Sequence, residues 1–253
     1  MKNSSLICVL TGLLTSQTVF AQDSAHSFSA NVAMTSDYVY RGISQSDEGP
    51  AIQGGFDYSH TTGWYLGAWG SSIEFFENRG GTTFACSPNC KEASVEVDLY
   101  GGYGGKFSDS LSYDAGLIYY AYPGAENSLD YDFIEGYAGL SYSLKDVMFE
   151  PSLGLKVSYS PDFFGTGTDD AVYVESSVDL SLPAGFAFGV HLGFQTIDNA
   201  GGAADTELWD WKVGVSKDLA GFNVDLSYYD TDVPSNTNDL ADARIVLSVS
   251  RSF

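Results

Sequence analysis

Apolar and polar residues alternate with a period of two in almost every segment after residue 27. Val95, Val97 and Leu99 stand against Glu96, Asp98 and Tyr100. Phe186, Phe188, Val190, Leu192 and Phe194 stand against Ala187, Gly189, His191 and Gly193. The closing stretch ARIVLSVSRSF repeats the pattern and ends on Phe253. Successive side chains leave a pleated backbone on opposite sides, so this spacing predicts strands with one apolar and one polar face. No stretch of ten or more residues has helical spacing. Twelve strands are expected, near 27–43, 51–60, 64–75, 93–105, 110–121, 131–142, 147–159, 171–181, 186–195, 207–216, 222–229 and 243–253.

The connections alternate in length. Short ones at 60–63, 107–110, 143–146, 182–185 and 217–221 take turns with long ones at 44–50, 76–93, 122–130, 160–170, 196–206 and 230–242. This is the pattern of an all-β, transmembrane, antiparallel up-and-down barrel with short periplasmic turns and longer extracellular loops. Hydrocarbon offers no hydrogen-bond partner to an open sheet edge, so such a sheet must close on itself. The final strand is then expected to pair with the first and set Phe253 in the aromatic girdle at the periplasmic interface. A strand ending on Phe also resembles the assembly signal of bacterial outer-membrane proteins. A secreted β-sandwich is the rival fold. Its outward face should carry Lys, Thr and Ser in place of Trp209, Trp211, Tyr113 and Phe149.

Residues 1–21 combine Lys2, an apolar stretch from Leu6 to Leu14, and the small-residue exit Val19-Phe20-Ala21. They predict a cleavable secretory signal, leaving 22–253 as one barrel domain. Without Lys2, 10 basic residues face 33 acidic ones, a net charge of −23, which argues against nucleic acid as a partner. Cys86 and Cys90, in ACSPNCK, predict a local disulfide in a secreted chain. Half of a zinc site is the alternative, but no second pair is present to complete it. No cofactor or metal motif is read. The glycines of YGGYGGK fall in a strand and its turn, and the acidic loops lack the ligand spacing of a calcium loop.

The stretch TSDYVYRGISQSDEGPAIQGGFDYSHTTGWYLGAWGS (35–71) resembles the N-terminal signature of the TorF-type porin family of bacterial outer-membrane β-barrel proteins. Thr35-Ser36-Asp37-Tyr38, the run Arg41 to Ser46, Gly54-Gly55 and Asp57-Tyr58 carry the resemblance. It implies an outer-membrane location and a transport role, and supplies no catalytic residue or substrate.

In a barrel the polar face of each strand points into the lumen. Parity assigns to it Asp37, Arg41, Asp57, Glu96, Asp98, Asp114, Glu135, Glu150, Lys156, Glu175, Asp179, His191, Asp210, Lys212, Asp225 and Arg244, with Glu74 on a strand of ambiguous parity. Twelve of these are carboxylates and four are permanent cations. A water-filled passage with this lining favours small cationic or neutral polar solutes. The partners expected are those solutes, outer-membrane lipid and lipopolysaccharide, and the barrel-assembly machinery. Narrow barrels can instead fill their lumen with side chains, which points to a closed structural or adhesive barrel. A lipid-processing barrel enzyme would need a nucleophile beside a His and an acid at the membrane rim. His26, His60 and His191 stand in no such motif, so no catalytic residue is assigned.

Overall fold

The computed structural model describes residues 24–74, 93–200, 205–234 and 239–253. The expected signal segment and the Cys86–Cys90 pair lie outside these residues. In chain order the strands are β1 (His26–Thr35), β2 (Val39–Tyr40), β3 (Ile43–Ser44), β4 (Ala51–His60), β5 (Trp64–Ser72), β6 (Val95–Lys106) and β7 (Leu111–Ala121). They continue as β8 (Phe133–Ser143), β9 (Ser152–Ser160), β10 (Ala171–Ser181), β11 (Phe186–Ile197), β12 (Thr206–Leu219), β13 (Phe222–Thr231) and β14 (Arg244–Ser252). All but β2 and β3 form one closed antiparallel barrel in which each strand pairs with its neighbours in sequence.

The seam joins β1 to β14, from Asn31 opposite Ser252 to Thr35 opposite Ser248. Phe253 extends it: its amide donates to the Ala30 carbonyl at 2.8 Å, and the Ala30 amide donates to the Phe253 carbonyl at 3.2 Å. No edge is left in the sheet, as a hydrocarbon surrounding requires. Among the described residues no helix is long and apolar enough to cross a membrane; the crossing is made by strands.

The alternation sorts side chains to the two faces. Phe28, Phe56, Leu66, Ile245 and Leu247 stand on the outside, with Phe28 76% and Ile245 70% exposed. Soluble proteins rarely display so continuous an apolar surface, so this face lies against lipid. At the short-turn end the belt is aromatic, with Trp64 against Tyr103 at 5.1 Å and Phe107 against Tyr113 at 4.6 Å. Phe194 and Trp209, 4.6 Å apart, stand toward the long-loop end. Arg251 also points outward, with its guanidinium 5.2 Å from the Phe222 ring and 5.3 Å from the Phe253 ring.

Four local expectations are corrected. The first strand does not run to residue 43. It stops at Thr35, and residues 36–50 leave the wall, carrying the small β2–β3 hairpin. The strand expected from 147 begins only at Ser152, because Phe149 and Glu150 adopt left-handed φ of 68° and 44° and Pro151 follows. Glu150 is therefore an exposed turn residue outside the lumen. Glu74 is also exposed, since the inward parity of β5 falls on the odd positions Tyr65, Trp69 and Ser71. The turn after β12 is tighter than expected: Ala220 and Gly221, at φ 53° and 83°, alone join Leu219 to Phe222.

Candidate functional site

The segment after β1 folds across the bore. Asp37 anchors its base. One carboxylate oxygen accepts from the hydroxyls of Ser44 (2.6 Å) and Ser46 (3.0 Å), and the other from Arg244 Nη1 of β14 (2.8 Å). The Tyr38 hydroxyl donates to Glu96 on β6 at 2.8 Å, and its ring meets Trp69 edge-on at 5.5 Å. Burial, with Glu96 and Asp98 nearby, holds the Tyr38 phenol well above its usual range, so it remains a donor at neutral pH.

Arg41 and Gly42 form the hairpin tip, with φ of 47° and 81°. The Arg41 guanidinium pairs with Glu135 on β8 and lies 4.0 Å from the Tyr173 ring on β10. Burial works against its charge, but Glu135 together with Tyr40, Tyr120 and Tyr173 outweighs it and holds its pKa above the ordinary arginine value. Gly42 reaches the far wall. A β-carbon there would lie 2.2 Å from Thr231 Cγ2 on β13 and 2.9 Å from Asp210 Cβ on β12. One short hairpin thus touches opposite walls of the barrel.

The two walls differ. Tyr100, Ile118, Tyr120, Phe133 and Tyr137 belong to a buried apolar cluster on β6–β8. Tyr120 and Phe133 stack at 4.3 Å, and Tyr131 stacks on Phe164 at 4.4 Å between the loops above. The wall that continues from it, β9–β12, is a lateral belt of charge. Lys156 Nζ lies 2.6 Å from Glu175, Glu175 3.8 Å from His191 Nδ1, and His191 Nε2 3.2 Å from Asp210. The Tyr173 hydroxyl lies 3.0 Å from both His191 Nε2 and Asp210 Oδ2. Gly193 leaves room for it: a β-carbon there would lie 2.2 Å from the Tyr173 hydroxyl oxygen. A cavity of about 150 Å³ remains between the walls, lined by both and by residues 37–42 of the hairpin segment.

The expected lumen residues distribute as follows. Asp37, Arg41, Asp98, Glu135, Lys156, Glu175, His191, Asp210 and Lys212 line this cavity. Asp37 and Arg41 do so from the inserted segment and not from a strand. Glu96 lies beside it, 2% exposed, under Tyr38. Asp57 and Asp114 accept from the hydroxyls of Tyr100 and Tyr65 nearer the short-turn end. Asp225 accepts from Ser227 at 2.6 Å, Asp179 is half-buried on β10, and Arg244 holds Asp37. Tyr38, Tyr40, Trp69, Tyr120 and Tyr173 were not expected here, because aromatics in a barrel are first read as girdle. Their parity carried the signal: Tyr120 alternates with the exposed Tyr119, and Tyr173 shares a face with Glu175.

Several solved structures share this fold. The KdgM porin, in complex with disordered oligogalacturonate, aligns with a TM-score of 0.55 at 9% identity, over 89% of this chain and 98% of its own. The NanC porin aligns at 0.53 and 10% identity, over 88% and 98%. An outer membrane channel from Pseudomonas putida F1 aligns at 0.50 and 12% identity, over 94% and 100%. No curated protein matches the chain in sequence. A family model does, over residues 20–253, and the chain accordingly belongs to Gcw_chp, a family of bacterial proteins of unknown function.

Proposed function

We propose that the protein is an outer-membrane channel for small cationic or neutral polar solutes, narrowed by its own inserted hairpin. The observation that carries the reading is a carboxylate-rich cavity inside a closed barrel whose exterior is apolar. Arg41, Lys156 and Arg244 are matched by Glu135, Glu175 and Asp37. Asp57, Glu96, Asp98, Asp114, Asp179 and Asp225 have no ion-pair partner among the described residues. Unmatched carboxylates between low-dielectric walls focus a negative potential and concentrate cations. The resemblance of 35–71 to TorF-type porins, and the shared fold with porins, support a transport role. The KdgM porin holds an anionic sugar acid, whereas the charge surplus here favours solutes of the opposite sign. Outer-membrane lipid, lipopolysaccharide and the barrel-assembly machinery are its further partners. We read the protein as non-enzymatic: His191 is enclosed by Asp210, Glu175 and Tyr173 within the lumen, away from the lipid rim.

The test is conductance in planar bilayers with the reversal potential taken across a KCl gradient. Cation preference is expected, and it should shrink with salt as the screening length falls from about 10 Å at 0.1 M to about 3 Å at 1 M. Anion preference would refute the reading. Absence of any conductance would favour a closed structural barrel.

A further inference from the structure

Asp98 is 9% exposed, lines the cavity, and has a carboxylate oxygen, Oδ1, that is buried without a hydrogen-bond partner. Such an atom is costly unless something completes it. No described cation lies within ion-pair distance, and Glu96, two residues earlier on the same face, is a second buried carboxyl group. The surroundings are rings. Trp69 stands directly opposite Asp98 in the β5–β6 register and Tyr120 directly opposite in the β6–β7 register. Tyr100 follows on the same face, and Tyr38 closes over from the hairpin.

We propose that Asp98, with Trp69, Tyr100 and Tyr120 around it, forms a binding site for a small organic ammonium ion. The chemistry is selective in three ways. Two buried carboxyl groups with no cation beside them offer an anion no partner. A divalent metal ion wants about six oxygen ligands, and the neighbours here are chiefly ring faces. An alkylammonium uses both halves of the site at once: its N–H groups give Asp98 the missing donors, and its charge and methylenes rest on the aromatic faces. A bare potassium ion has no N–H to donate and no methylene to lay on a ring. The inference deepens the channel reading and rests on it only for how the ion reaches the cavity.

The experiment is a titration of the full-length protein in detergent with ethylammonium chloride at constant ionic strength, followed by tryptophan fluorescence. Cold and heated gel mobility serves as the check on barrel closure. A saturable change is expected with ethylammonium and not with KCl or MgCl2. It should weaken at least tenfold in Asp98→Asn, persist in the exposed-turn variant Glu150→Gln, and vanish in Trp69→Phe. Should Asp98→Asn fail to fold, Tyr120→Leu keeps the carboxylate, removes a ring and must weaken binding. No saturable change in the folded protein, equal saturation by potassium or magnesium, or unaltered binding in these variants would overturn the proposal. Because binding is read without a membrane, ethylammonium binding to a barrel that never conducts would sink the channel reading and leave this one standing.

Discussion

At the tip of the inserted hairpin two residues are held in left-handed backbone for different reasons. Arg41 pays for its φ through the pairing with Glu135, whereas Gly42 has no side chain to clash with Thr231 or Asp210. A β-branched residue at position 42 meets both obstacles, the wall and the φ of 81°, and a strained non-glycine residue costs about 1–3 kcal/mol. Gly42→Val should therefore lift the tip from the far wall. Single-channel conductance should rise above that of the wild type, while the barrel stays closed by gel mobility. Unchanged conductance would show that the tip does not set the bore.

At the scale of elements, the hairpin is pinned chiefly by side-chain contacts. Its sheet, β2 with β3, has two residues a side and could not persist alone. Replacing residues 39–44 by a flexible Gly/Ser linker of equal length should widen the passage. We expect conductance to increase severalfold and cation preference to decline, since Arg41 no longer neutralises Glu135 but the narrow field is lost; equal conductance would reject this role. The same element marks where sequence reading failed. Asp37-Tyr38-Val39-Tyr40-Arg41 alternates as a wall strand does, so local pattern extended β1 across it. What turns it inward are contacts to Glu96, Glu135 and Arg244, between 58 and 207 residues away in sequence. Glu150 was misplaced for a local reason, the left-handed turn before Pro151. The wall strands were legible because lipid on one side and polar groups on the other impose a period of two along each of them.

For the whole molecule, the decisive feature is closure. Phe253 exchanges both backbone hydrogen bonds with Ala30 and presents a 53% exposed ring at the short-turn end. Full burial of such a ring in lipid is worth about 2 kcal/mol, too little to govern a barrel of this size. Deleting Phe253 should nevertheless lower the outer-membrane level of the protein severalfold, the outcome that the resemblance of the terminal strand to an outer-membrane assembly signal implies. Quantitative blotting of outer-membrane fractions checks this, and equal levels of truncated and full-length protein would refute it.

The Asp37–Arg244 contact carries a consequence in time. It links the residue just past the first wall strand to the opening residue of the last, next to the seam where those strands meet. Until β14 arrives, Asp37 has no arginine to hold it, and the hairpin lacks the anchor at its base. The hairpin's other anchors, Glu96 on β6 and Glu135 on β8, belong to earlier strands, so the contact with Arg244 is the one that waits for the closing strand. The Asp37–Arg244 pair can form only once the first and last wall strands stand side by side, so it records closure of the wall inside the lumen.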